Sequence, residues 1–311
     1  MSQTGFTRAE ILKLAGSFGA ACVFGTPARG QQSSEKVHMQ TRTIPSSGEK
    51  LSVVGCGTWQ TFDVGADANA RKKLAEVLAT LFDAGGSVID SSPMYGTSED
   101  VAGSIVADLG ARSKTFIATK VWTRGKQAGI QQIERSMQLL RTDKLDLMQV
   151  HNLLDWRIHL ATLRDMKAKG RIRYIGVTHY TSSAYKELEA VMRSEKLDFI
   201  QVNYSADDRA AEDRILPLAA DRGMAVLINL PFGGGGLLRR LRGRPLPQWA
   251  ADIDCRSWAQ ILLKFVLGNP AVTCVIPGTS NPDHMRENAR AGVGAFLTEA
   301  QRKRIVAELG A

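Results

Sequence analysis

Hydrophobic and polar positions along this chain alternate on two scales. From Met39 onward, short apolar runs rich in β-branched residues recur: "LSVVGCG" ending at Gly57, "GSVID" at Asp90, "TFIATK" at Lys120, "LDLMQVH" at His151, "YIGVTH" at His179, "DFIQVN" at Asn203, "AVLIN" at Asn229 and "TCVIPG" at Gly278. Most of these tips lie about 25 to 30 residues apart, the length of one strand and helix with their loops. Each run is close to continuously apolar, so both faces of each predicted strand are covered, as in a parallel sheet. Between the runs the spacing becomes helical. Leu74, Val77, Leu78 and Leu81 form one stripe over Asn69 to Asp83, and Leu160, Leu163 and Met166 repeat it later. Eight strands in such alternation predict an α/β fold. A closed (β/α)8 TIM barrel is favoured over an open doubly wound sheet, because no GxGxxG turn follows the first strand.

Ahead of the barrel, "MQTRTIPSSGEKLSVVG" alternates in short stretches around Ser46 to Gly48 and predicts an N-terminal β-hairpin capping the barrel floor. The barrel domain is therefore drawn at residues 39–311. The connection from Pro231 to Arg256 is long for such a fold, and a long structureless loop predicts a functional segment folded over the barrel mouth.

In a barrel the C-terminal strand ends meet at one face. Here the second, third and fourth tips carry Asp90, Lys120 and His151, with Tyr95 in the loop after Asp90. Singly, each has an ordinary structural use as a turn acid, a snorkelling lysine, a core histidine or a packed tyrosine. Together they suit carbonyl reduction. A developing alkoxide needs a proton, and a phenol with a pKa near 10 is a sluggish donor at neutral pH. A nearby ammonium favours phenolate, and a carboxylate keeps that ammonium charged and in place. Tyr95 is then the proton donor, Lys120 its tuning cation, Asp90 the anchor of Lys120, and His151 a donor that orients the carbonyl.

Composition narrows the alternatives. The net charge is +9, but the basic residues are scattered among acids, with the densest cluster at Arg239, Arg240, Arg242 and Arg244. That distribution points to solvated surface or to a phosphorylated small molecule rather than to nucleic acid. The four cysteines, Cys22, Cys56, Cys255 and Cys274, have no metal-ligand spacing, so no metal is expected. Residues 1–30 differ from the rest: Arg8 and Lys13, a small-residue apolar stretch from Leu14 to Phe24, and an exit at Thr26 to Ala28 read as a signal peptide too short to span a membrane. "TRAEILKL" resembles a twin-arginine (Tat) export motif with Ala9 in place of the second arginine. The expected location is the periplasm, the alternative a cytoplasmic protein with a retained extension.

The segments "GTW", "VIDSSPMYG", "ATKVW", "DLMQVHN", "GRIRYIGVTHY", "FIQVNYS" and "VIPGTSNPDHMREN", from about Arg42 to Ala291, resemble the aldo-keto reductase superfamily in its usual order. The resemblance implies a TIM barrel that reduces aldehydes or ketones with NADP(H), NAD(H) being the alternative, with Asp90, Tyr95, Lys120 and His151 as its tetrad. It also implies the cofactor positions. Gly57 and Thr58 border the nicotinamide, Thr178 and His179 stand where the family has Ser-Asn, and Gln201 matches the glutamine that binds the carboxamide. Asn229, Leu230, Pro231 and Phe232 replace the family's stacking aromatic and Ser-Pro-Leu, leaving Phe232 to hold the ring. Gly278, Thr279, His284, Glu287 and Asn288 form the adenine end, with Gly278 and His284 in place of the usual Lys and Arg on the 2′-phosphate; Arg286 is the nearby cation that would compensate.

Trp59 and Trp122 suggest an aromatic-walled pocket for a small-molecule carbonyl substrate. No long tail follows the predicted last helix, Thr298 to Leu309, so the substrate loop of many relatives is not expected and the site should be open. A monomer is the expected state. A second reading is a nucleotide-binding sensor barrel with little turnover, resembling channel-associated β-subunits. A third, a phosphosugar-type barrel enzyme, fits the tetrad poorly.

Overall fold

The computed structural model describes residues 39–310, so the signal-peptide-like segment expected at 1–30 lies outside the described residues. The described chain opens with an antiparallel hairpin, β1 (Thr41–Thr43) and β2 (Lys50–Ser52), in which Arg42 pairs with Leu51. Gly48 turns it at φ +80°, a left-handed conformation that favours glycine. Eight strands follow: β3 (Cys56–Gly57), β4 (Val88–Asp90), β5 (Phe116–Val121), β6 (Leu145–His151), β7 (Ile172–His179), β8 (Phe199–Asn203), β9 (Ala225–Asn229) and β10 (Cys274–Val275). They pair in sequence order and every pairing is parallel.

The ring closes between its first and last strands. Val54 bridges Val275 and Gly57 bridges Gly278, with Gly55 N donating to Val275 O and Val275 N to Val53 O, both at 2.9 Å. This closure excludes the open doubly wound sheet. It also explains the glycines at the seam. A Cβ on Gly57 would stand 2.8 Å from the Ile276 carbonyl oxygen, and one on Gly278 would stand 3.1 Å from the Gly57 oxygen.

Helices α1 (Ala68–Asp83), α2 (Ser98–Asp108), α3 (Lys126–Leu139), α4 (Trp156–Ala168), α5 (Tyr185–Ser194) and α6 (Ile215–Asp221) return the chain between successive strands. The stripe read from the sequence is the face α1 buries, Leu74, Val77, Leu78 and Leu81 together with Phe82, and Asp67 caps its start by accepting the Asn69 and Ala70 N–H groups. Between β9 and β10 lie α7 (Gly236–Arg240) and α8 (Trp258–Leu267), and α9 (Pro282–Ala291) and α10 (Glu299–Leu309) complete the described chain. The Pro231 to Arg256 connection is thus not structureless. It holds α7 and a short 3-10 helix over Gln248–Ile253, and it is pinned to the outer core by buried Leu237, Leu241, Ala250 and Ile253.

A second apolar cluster fills the barrel itself. Ile44 and Leu51 of the hairpin join Phe116, Leu147, Tyr174, Phe199 and Leu227 from the strands. Phe116, Tyr174 and Phe199 pack with ring centroids 5.5 to 6.0 Å apart, and burying side chains of this size contributes about 1.5–3 kcal/mol each. The Tyr174 hydroxyl lies 2.7 Å from Ser47 Oγ and 2.6 Å from Glu49 Oε2, which ties the hairpin to the strand ends. The hairpin therefore plugs the floor, and polar side chains at the opposite strand ends face the mouth.

Candidate active site

Asp90 ends β4, Lys120 is the penultimate residue of β5, and His151 ends β6. Parallel register then sets Lys120 beside Gln149 and His151 beside Thr178. Lys120 has no exposed surface. Its Nζ donates to Asp90 Oδ2 at 2.6 Å and to the Ser91 carbonyl at 2.7 Å. The other Asp90 oxygen accepts from Gln201 Nε2 at 2.8 Å and from Gln149 Nε2 at 3.3 Å. A buried carboxylate with this many donors is compensated for the water it has lost. Tyr95 follows in a turn closed by its own N–H to the Ser92 oxygen at 3.0 Å; its ring centroid is 5.2 Å from Lys120 Nζ and 6.1 Å from the His151 ring, edge-on. The four groups expected to meet do share one neighbourhood.

Their electrostatics differ in one respect from the sequence-based expectation. Burial works against the Lys120 ammonium, but Asp90 and Tyr95 outweigh it and its pKa stands above the usual lysine value. At Tyr95, burial pushes the phenol pKa up, Lys120 pulls it down and Asp90 adds to the rise, leaving it raised. Lys120 therefore offsets part of the burial effect instead of making the phenol unusually acidic. Burial, then the charges of Lys120 and His179, push the His151 pKa down to about 3, so its imidazole is neutral at ordinary pH.

Around this cluster the expected cofactor positions divide. Thr58 is fully buried, its N–H donating to the Asp90 carbonyl at 3.0 Å and its Oγ1 to Ser91 Oγ at 2.9 Å, while Gly57 belongs to the barrel seam. Thr178 Oγ1 donates to Gln201 Oε1 at 3.3 Å, so both ends of the Gln201 amide are engaged inside the barrel and its task here is to hold Asp90. His179 is partly exposed, with Nδ1 accepting from Thr181 N at 3.3 Å and its ring stacked on Tyr180. Asn229 at the tip of β9 has a buried Oδ1 with no hydrogen-bond partner among the described residues. Leu230 follows in a left-handed conformation at φ 49°, Pro231 is buried, and Phe232 packs against the outer core rather than standing free.

At the adenine end, Thr279 and Asn288 are buried, and Gly278, His284 and Glu287 are exposed. Asn281 caps α9 by accepting the Asp283 N–H at 2.8 Å, and Arg286 pairs with Asp283 on the same helix.

Trp59 and Trp122 remain 49% and 41% exposed, and Trp122 sits 6.3 Å from the His151 ring. Met94 and Tyr180, which the sequence reading did not single out, are likewise exposed, on loops after β4 and β7, Tyr180 stacked on His179. The sequence reading also missed Gln149, two residues before His151 on the same strand face, and Ser92, whose Oγ lies 3.1 Å from His151 Nδ1. Period-2 alternation along "DLMQVH" pointed to the first. Nothing local pointed to the second, because the contact joins the loop after β4 to the end of β6, across β5. Among the described residues no cluster of three His, Cys, Asp or Glu could hold a metal ion, and no helix is long and apolar enough to cross a membrane.

Residues 53–308 match the family model described as "Aldo/keto reductase family". The chain belongs to that family. Its members are oxidoreductases that act on carbonyl and alcohol groups with a nicotinamide dinucleotide. Among curated relatives, the Escherichia coli methylglyoxal reductase YeaE is 31% identical over 259 residues, covering 81% of this chain and 89% of that protein. The NADH-specific methylglyoxal reductase of E. coli is 24% identical, covering 78% and 90%. Among solved structures, an aldo/keto reductase from Klebsiella pneumoniae in complex with NADP and acetate superposes with a TM-score of 0.74 at 24% identity, covering 86% of this chain and 95% of that one. The structural likeness agrees with the (β/α)8 fold.

Proposed function

We propose that this aldo-keto reductase reduces aldehyde or ketone carbonyls to alcohols with NADP(H), Tyr95 delivering the proton. The observation that carries the reading is the buried Lys120 ammonium, salt-bridged to Asp90 at 2.6 Å and 5.2 Å from the Tyr95 ring centroid. In the reduction, Tyr95 hands its proton to the carbonyl oxygen as negative charge develops there. Lys120 stabilises the phenolate left behind, and Asp90 keeps Lys120 charged. His151, neutral, donates a hydrogen bond to the same oxygen. When bound, the reduced nicotinamide supplies the hydride.

The donor set at the mouth suits such a cofactor. The unpartnered Asn229 Oδ1 is an acceptor for a carboxamide N–H, His179 is partly exposed at the end of β7, and Thr279 with the start of α9 supplies donors toward phosphate. No cation stands at Gly278 or His284, and Arg286 is paired with Asp283, so a firm preference for NADP over NAD would have to come from elsewhere. Relatives of both kinds support the dual expectation: the K. pneumoniae protein is solved with NADP, and one E. coli relative is NADH-specific.

The test is dinucleotide oxidation followed in the reduced nicotinamide band at about 340 nm, with NADPH and NADH in parallel, against methylglyoxal and a panel of aromatic and aliphatic aldehydes. Turnover is expected with NADPH. Tight dinucleotide binding without turnover across the panel would instead favour the sensor reading. We also propose that residues 1–30 direct export to the periplasm; recovery of the full-length, unprocessed chain from the cytoplasm alone would overturn this.

A further inference from the structure

Ser92 lies two residues after Asp90 and has no exposed surface. Among the described residues its hydroxyl meets two groups, His151 Nδ1 at 3.1 Å and the Met94 N–H at 3.5 Å. The amide can only donate, so it offers no place for the serine proton. A neutral imidazole has a single N–H, on one nitrogen or the other. If that proton were on Nδ1, Ser92 Oγ would accept it and the serine's own proton would be sealed in the protein with no acceptor. With the imidazole proton on Nε2, the Ser92 hydroxyl donates to Nδ1 and both of these buried groups are satisfied. Among the described residues Nε2 itself has no hydrogen-bond partner, and it is not a sealed atom.

We propose that Ser92 is a positioning residue that holds His151 in the tautomer protonated at Nε2, so that a substrate carbonyl oxygen meets a donor there and not a lone pair. The role rests on reading this site as a carbonyl-reduction centre, but the tautomer itself does not depend on any substrate. With the other tautomer, Nε2 would present a lone pair to the oxygen, opposing the charge that develops on it. Ser92 thus acts through His151 and touches nothing that reacts.

The experiment is nitrogen-15 NMR of the imidazole in the dinucleotide-free protein, which distinguishes the two tautomers, combined with kcat and KM of Ser92→Ala and Ser92→Thr. The wild type is expected to show Nε2–H alone. Ser92→Ala should show both tautomers and a kcat lower by about 10-fold with KM for the dinucleotide unchanged, and Ser92→Thr, which keeps the hydroxyl, should restore both. A role in packing alone would alter stability and leave the tautomer ratio where it was. Nδ1–H in the wild type, or an unchanged ratio in Ser92→Ala, overturns the proposal. A tautomer shift in a protein that turns over no carbonyl would uphold the assignment for His151 and sink the reductase reading instead.

Discussion

Lys120 Nζ and Asp90 Oδ2 stand 2.6 Å apart, with the lysine side chain fully buried and the aspartate side chain 5% exposed. Two charges removed from water at this depth each depend on the other, since an unpaired buried charge costs far more than the pair. Asp90→Asn or Lys120→Met alone should each destabilise the protein by about 3–5 kcal/mol. The double substitution should cost less than the sum of the two. Urea denaturation of the four proteins in a double-mutant cycle measures that coupling, and strictly additive effects would contradict it.

Tyr95→Phe should lower kcat by about 100- to 10,000-fold, the range expected when a general acid is lost. The ring that packs beside Lys120 and His151 is kept, so dinucleotide affinity, followed by fluorescence titration, should stay within about twofold of wild type.

The depressed pKa of His151 makes a statement about acid stability. Its folded value is about 3 against an ordinary 6.5, so below pH 6.5 the unfolded chain takes up a proton that the folded one refuses. This group's contribution is present above pH 6.5 and is lost as pH falls toward 3, at a slope of about 1.4 kcal/mol per pH unit within that window. His151→Asn should flatten the fall in stability between about pH 6 and pH 4. The pH–rate profile of the wild type should show no limb from this histidine near its ordinary pKa.

Glu99 predicts the opposite slope. It is buried, accepts from Thr119 Oγ1 at 2.6 Å and Ser136 Oγ at 3.0 Å, and burial leaves its pKa raised despite those bonds and the nearby Lys120. A raised carboxyl pKa means stability that is full below the unfolded value and is lost as pH rises through the folded one. Glu99→Gln should therefore gain melting temperature relative to wild type at pH 8 and lose that advantage at pH 4.5, as scanning calorimetry at the two pH values would reveal.

At the barrel seam, Gly57→Ala places a methyl carbon 2.8 Å from the backbone oxygen of Ile276, just past β10, which cannot turn aside as a side chain would. A loss of about 1–3 kcal/mol in thermal or chemical denaturation is expected, with faster hydrogen exchange at Gly55 and Val275.

How far the sequence alone carried the fold and the site follows from which interactions are local. The eight apolar runs and the α1 stripe were legible because periodicity is a local property, and strand order followed once the runs were counted. β10 shrinks to Cys274–Val275: past it the Ile276 N–H still donates to Ile228 O at 3.0 Å, but Pro277 has no N–H with which to continue the ladder. The meeting of Asp90, Lys120 and His151 was legible because parallel strands bring like ends together. Three things were not. The engagement of Gln201 with Asp90 depends on side-chain direction across the barrel, and the net rise in the Tyr95 pKa depends on burial, which no spacing reports. The helices within Pro231 to Arg256 were hidden by glycines and prolines that read as loop; Leu237 and Leu241, on one helical face, were the available signal.

The seam joining β3 to β10 also decides when this barrel is finished. During vectorial synthesis the first strand of the ring leaves the ribosome early and waits, its outer edge unpaired, until nearly the whole chain has followed. Contacts that span so much chain form late and slowly, and an uncovered strand edge in the meantime is a template for pairing with another molecule. Crowding and temperature should therefore limit the yield of this protein at the stage of ring closure, before any difference in the stability of the finished fold is felt.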